Sequence, residues 1–100
     1  MNMQQMMAQA QKMQRELKKA QAELAEKEFV ISKGGAVTVT VYGNKQVKSV
    51  NIDADAFDAD NKEMVEDMIA LAINEALEQI EAESEAINER ITGQRGGFGF

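Results

Sequence analysis

The chain has 100 residues, enough for one small domain, and 44% of them are apolar but only 5% aromatic. It has no Cys, His, Pro or Trp, which removes disulfides, thiolate and imidazole metal sites, the usual nucleophile–base pairs and any proline-forced helix break. The net charge is −6, divided into +4 over residues 1–52 and −10 over residues 53–100. A duplex responds to a local basic surface and not to a total, so nucleic acid stays open as a partner. No run of about 18 apolar residues is present, so no membrane span is expected. Met1 to Ala10 lacks the layout of a secretion signal, and a cytoplasmic protein is expected. A domain this small buries only about two-thirds of its unfolded surface, which makes dimerisation a natural remedy.

Residues 2–27 read as one helix. Met3, Met6, Ala10, Met13, Leu17, Ala20 and Leu24 recur at alternating gaps of three and four, the heptad of a narrow two-helix seam. The filler is Gln, Lys, Glu and Ala, all good helix formers. Such a stripe cannot organise a large core, but it can lie against one other helix.

The period then changes. Phe29, Val30 and Ile31 form a β-prone run, and Lys33-Gly34-Gly35 is a turn signal. From Ala36 to Tyr42 the chain alternates, with Val37, Val39 and Val41 on one face and Thr38, Thr40 and Tyr42 on the other. Gly43-Asn44 predicts a two-residue hairpin loop. Gln46 to Ile52 is the return strand, with Val50 and Ile52 on one face and Val47 on the other, so its register stays open. The expected sheet is a three-stranded antiparallel meander that needs a helix across one face.

Asp53 to Asp60 is an acidic connection, with Asp60 and Glu63 spaced as a capping box. Residues 61–91 read as the second helix, ended by Thr92-Gly93. Its first half is broadly apolar, through Met64, Met68, Leu71, Ile73 and Leu77. Its second half narrows to Ile80, Ser84, Ile87 and Ile91. The wide half should cover the sheet and a partner subunit. The narrow half matches the seam of helix 1, and the two should pair antiparallel as an arm. The expected fold class is α+β, in the order α-β-β-β-α, with long flanking helices. The domain is expected to occupy residues 1–93, with 94–100 a flexible Gly-rich tail.

These features together resemble the YbaB/EbfC family of nucleoid-associated proteins. The resemblance is carried by Met6-Met7-Ala8-Gln9-Ala10-Gln11-Lys12-Met13-Gln14, by Gln21-Ala22-Glu23-Leu24, and by the run from Gly34-Gly35 to Gly43-Asn44. Val50-Asn51-Ile52-Asp53, the stretch from Asp67 to Leu77 and the closing Thr92-Gly93 complete it. It implies a tweezers-like homodimer with helical prongs on a shared body. It also implies binding of duplex DNA with little sequence preference, altered DNA conformation, and a place in the cytoplasm on the nucleoid.

Lys12, Arg15 and Lys19 share one face of helix 1, with Lys18 beside them. Clustered cations over a few turns suit phosphate neutralisation. A solvated face offset by Glu16 and Glu23 is the plain alternative. Arg90 and Arg95 lie toward the far end of the same arm. The candidate DNA-binding set is therefore Lys12, Arg15, Lys18, Lys19, Arg90 and Arg95. The tail, with Arg95, Phe98 and Phe100, loosely resembles segments that stack on single strands, but it is short and carries one Arg.

The remaining patterns carry no chemistry. A calcium loop starting at Asp53 would need Gly and Glu where Asp58 and Met64 stand. Glu81 and Glu85 lack an acid/base partner, and the paired glycines lack phosphate-loop spacing. No catalytic residue, cofactor, metal or small-molecule substrate is expected. The Met-rich start is either an adaptable partner surface or the soft filling of the seam. Two functions stand: a dimeric DNA-binding protein, or a dimeric adaptor whose helical arms bind another protein.

Overall fold

A computed structural model describes residues 2–93. Helix α1 spans Met3–Glu26, strands β1, β2 and β3 span Glu28–Lys33, Val37–Tyr42 and Val47–Ile52, and helix α2 spans Lys62–Thr92. Two 3₁₀ turns, Ala54–Ala56 and Ala59–Asn61, fill the connection into α2. The sheet order is β1-β2-β3, antiparallel throughout. The expected α-β-β-β-α architecture is present.

The core lies between the sheet and the first half of α2. Val37, Val39 and Val41 are at most 1% exposed. Phe29 and Ile31 of β1 flank them, and Val65, Ala72, Ala76 and Ile80 of α2 close the layer. Small Ala72 and Ala76 let the helix axis approach the valine row closely, as interior packing density requires. The helix lies over β1 and β2 and leaves β3 nearly uncovered.

The register of β3 is settled by a bulge. Val37 faces Ile52, Val39 faces Val50 and Thr40 faces Ser49, but Val41 faces Val47, so Lys48 is an extra residue. One unpaired residue reverses the pleat. Val47 therefore joins Val50 and Ile52 on the inner face, where strict alternation had placed it outside.

The hairpin differs from the two-residue loop expected. Lys45 donates its N–H to the Tyr42 carbonyl at 2.8 Å, and Lys45, not Gly43 or Asn44, has positive φ (74°). The loop is thus Gly43-Asn44-Lys45, a tight turn closed by a left-handed residue. Gly43 is needed for a different reason. A methyl group there would overlap the Leu24 carbonyl oxygen. The hairpin abuts the end of α1 and is stitched to it by Gly43 N–H to Lys27 O (2.8 Å) and Asn44 N–H to Ala25 O (3.2 Å).

The caps also differ. Helix α2 starts from Asn61, which makes no side-chain capping bond. The aspartates act one turn earlier: Asp53 and Asp58 accept from the N–H groups of Asp55 and Asp60. A 3₁₀ turn ahead of the helix already occupies Asp60, so the Asp60–Glu63 box does not form. A capping box does form at the start of α1, between Asn2 and Gln5.

Candidate nucleic-acid interface

Beyond Ile80, α2 leaves the sheet and runs antiparallel to the second half of α1. Leu24 is the one buried residue of α1. Around it, Gln21 Nε2 donates to Ser84 O (3.4 Å) and to Asn88 Oδ1 (3.3 Å), and Ser84 Oγ donates to Gln21 Oε1 (3.3 Å). Lys27 Nζ pairs with Glu83 at 2.7 Å at the base of the arm. The antiparallel arm expected from the matching stripes is present. The chain measures 69 × 25 × 15 Å with a radius of gyration of 19.1 Å, against about 13 Å for a compact chain of this length.

The pairing covers only part of α1. Residues 2–16 are all exposed, and Leu17 is the first to be half-buried. Met3 is 76% exposed, Met6 58%, Met7 56% and Met13 39%. The chain turns at Gly93, a left-handed cap whose N–H bonds to Glu89 O, and there α2 ends while α1 continues. The Met part of the stripe therefore faces no helix among the described residues.

The candidate cations sit on this arm. Lys12, Arg15, Lys18 and Lys19 are all exposed, on the side of α1 away from the Leu17/Leu24 seam. Lys12 lies 4.0 Å from Glu16, with both side chains well exposed, an arrangement of little energetic consequence. Lys19 and Arg90 come together on one groove, also lined by Glu16, Ala20, Glu23 and Ile91. The structure thus brings Arg90 beside Lys19, with Glu16 and Glu23 in the same groove. Arg95 lies outside the described residues.

The other lysines are committed elsewhere. Lys33 pairs with Glu75 at 2.7 Å and Lys45 with Glu81 at 3.7 Å. Lys48, on the bulge, reaches Glu28 at 2.9 Å across the outer face and lies 5.7 Å from the Tyr42 ring centre. The hydrogen bond and charge of Glu28 raise its pKa, with Tyr42 adding to the effect. Among the described residues, no group of acidic side chains is arranged to hold a metal ion, and no helix is long and apolar enough to cross a membrane.

The distribution of acid along the sequence marks the same end of the arm. All 17 acidic residues fall at or after Glu16, and residues 1–15 carry only Lys12 and Arg15 as charged side chains. The exposed end of α1 is the acid-free part of an acidic protein.

A second exposed surface lies beside the core. Phe57 is 79% exposed, Val47 44% and Val50 43%. Phe57 borders an apolar groove of about 460 Å³ with Ile52, Ala56, Val65 and Ile69. The inner face of β3 and the adjoining flank of α2 are open there. The opposite flank of α2 shows Leu71 (59%) and Met64 (41%).

The profile of the YbaB/EbfC DNA-binding family matches residues 1–95. The chain belongs to that family. Its relatives include a nucleoid-associated protein of Clostridium novyi, 47% identical over 94 residues, covering 93% of this chain and 82% of the relative. Another, from Agathobacter rectalis, is 46% identical over 97 residues, covering 96% and 86%. A third, from Lachnoclostridium phytofermentans, is 44% identical and covers 98% and 83%. A crystal structure of an uncharacterized protein from Helicobacter pylori superposes with a TM-score of 0.74 at 19% identity, covering 93% of this chain and 99% of that one. That likeness shows the YbaB/EbfC chain and the Helicobacter protein to share a fold.

Proposed function

We propose that this chain is a nucleoid-associated protein of the cytoplasm that binds duplex DNA as a homodimer, with little sequence preference, and alters the path of the duplex. The observation that carries the reading is the family match over residues 1–95. The names of the relatives, all nucleoid-associated proteins, agree with it. The arm supplies the physical means. Lys12, Arg15, Lys18 and Lys19 stand in solvent on a projecting helix, and Arg90 of α2 shares a groove with Lys19. Arg95 extends the same basic set along the sequence. Phosphate contacts of this kind position a protein without reading bases, and they account for the low sequence preference.

The homodimer is supported by the open apolar surfaces of the body. Val47, Val50, Phe57, Met64 and Leu71 are too many exposed apolar side chains for one small body to leave in water. A second copy covering the β3 face and the wide half of α2 would bury them and place two basic arms on one body. The 94–100 tail adds nothing to this reading beyond Arg95.

A salt-titrated gel shift with duplexes of unrelated sequence tests the proposal. Affinity should fall steeply with salt and differ little between sequences. No binding at low salt would transfer the arms to the protein-adaptor reading.

A further inference from the structure

The heptad of α1 is continuous, but its cover is not. Leu17 and Leu24 meet α2, whereas Met3, Met6, Ala10 and Met13 continue the same seam past the end of α2 with the same alternating gaps. A seam of this period asks for a helix, and the helix present leaves the first half of α1, from Met3 to Glu16, uncovered. We infer that the free end of α1 is a self-association surface, occupied by the same segment of a second copy running antiparallel.

Four properties of the segment select a second copy as the occupant. First, the stripe is self-complementary. Antiparallel seams set each position of one kind against the other kind. Here that places Met3 against the second copy's Met13 and Met6 against its Ala10, a large side chain facing a small one, and the reverse pair follows by symmetry. All four layers are filled from this one stripe. Second, no like charges meet. Met3 to Gln11 contains no charged residue, so two copies approach without repulsion. Third, the ends align. The second copy's α1 would continue the line of α2 from Gly93 onward, in the same chain direction. The C-terminus of one helix then meets the N-terminus of the next, and their dipoles point head to tail. Fourth, the basic residues stay free. Lys12, Arg15, Lys18 and Lys19 lie off the seam, so a paired tip still presents them to solvent.

The contact is small. Its stripe runs over about 15 Å of helix, far below the roughly 1,200 Å² that a stable interface buries. It therefore acts where copies are concentrated. A body carrying two arms, or several copies held along one duplex, supplies that condition through effective concentration. An isologous contact on each of two arms links bodies into chains or closed rings. The inference does not need the DNA reading, because it is made between copies of the chain alone.

The test uses the absence of native cysteine. Gln9→Cys places a thiol beside the seam near the two-fold axis. Ala8→Cys, one residue away, places it on the outer face. Both full chains are treated with a short bis-maleimide linker in the absence of DNA. Gln9→Cys should couple two chains on the order of tenfold faster than Ala8→Cys, as held rather than random encounters dictate. Adding Met6→Glu to Gln9→Cys should bring the rate down to that of Ala8→Cys. Circular dichroism should show each variant folded, since all three positions are exposed. Equal coupling by the two single variants, or fast coupling that survives Met6→Glu, overturns the inference.

Discussion

Replacing Gly43 by Ala should detach the arm from the body. Gly43 has no positive φ, so alanine is not strained there by its own backbone. The conflict is steric. The added methyl overlaps the Leu24 carbonyl oxygen and lies within 3.2 Å of the Ala25 nitrogen, and both are backbone atoms of a helix that cannot yield locally. The hairpin must retreat, which breaks the Gly43 N–H bond to Lys27 O (2.8 Å) and the Asn44 N–H bond to Ala25 O (3.2 Å). Each contributes about 0.5–1.5 kcal/mol. The strain and lost packing around buried Leu24 add about 1–2 kcal/mol, so the total is about 2–5 kcal/mol. In a domain of this size that lowers the melting temperature by on the order of 10–25 °C. Gly35→Ala is the control: it opens on empty space but has φ +66°, and should cost only about 1–2 kcal/mol. Urea unfolding at one fixed protein concentration, which keeps any association term constant, measures both. A Gly43→Ala variant within about 0.5 kcal/mol of the parent, the range of ordinary surface changes, would refute the close junction of hairpin and arm.

Changing Lys12, Arg15 and Lys19 together to Gln should weaken binding to all duplexes alike and flatten the salt dependence by up to about one unit per lost phosphate contact, as read in a gel-shift titration. Leu17→Asp or Ile87→Asp should each loosen the arm by about 1–3 kcal/mol, with faster amide exchange in residues 17–26 and 80–92 while the strand amides stay protected. Val50→Glu should leave the fold intact, because the side chain is already 43% exposed. Sedimentation should then show a loss of the proposed body dimer.

Periodicity carried most of the fold. The seam stripe of α1 and the narrowing of α2 from Met64–Leu77 to Ile80–Ile91 were enough to place the helices side by side. They could not show where α2 stops against α1, because a stripe records which face is apolar and not how much of it is covered. The uncovered Met3–Met13 stretch is therefore a tertiary fact. The β3 register was hidden for a related reason: the pleat alternates faithfully until Lys48, and a bulge leaves no mark in composition. Gly43 beside Asn44 suggests positive φ, but the turn they begin takes its positive φ at Lys45, and Gly43 also lets two backbones touch. Phe57, a lone aromatic inside an acidic run, is the signal in the sequence for the groove it borders. The basic set was legible as a spacing on α1, but the approach of Arg90 to Lys19 required the arm to be built first.

The charge division makes a prediction of its own. A protein of net charge −6 approaches a polyanion most readily along a surface poor in carboxylates, and the field near that surface counts more than the total. Helix α1 projects residues 2–16 into solvent, beyond α2 and away from the acidic body. On the proposed reading the end of α1 is an attractive tip on a repulsive molecule, and it needs its lack of acid as much as its lysines. Gln4→Glu with Gln11→Glu tests this directly. The two sites are seven residues apart on an outward face, both are exposed, and neither lies on the Met stripe. The change takes the side-chain charge of residues 1–15 from +2 to 0 without removing a cation. Glutamate is as good a helix former as glutamine, so the helix should persist. DNA affinity at low salt should fall about as far as when two cations are lost, and the difference from the parent should shrink as salt screens the added charges. The same pair of carboxylates added at Gln79 and Ala82, on the exposed side of α2, should matter much less, because that helix is acidic already. Equal losses from the two pairs would mean that total charge governs binding. Unchanged affinity in Gln4→Glu/Gln11→Glu would mean that the duplex does not approach the end of α1.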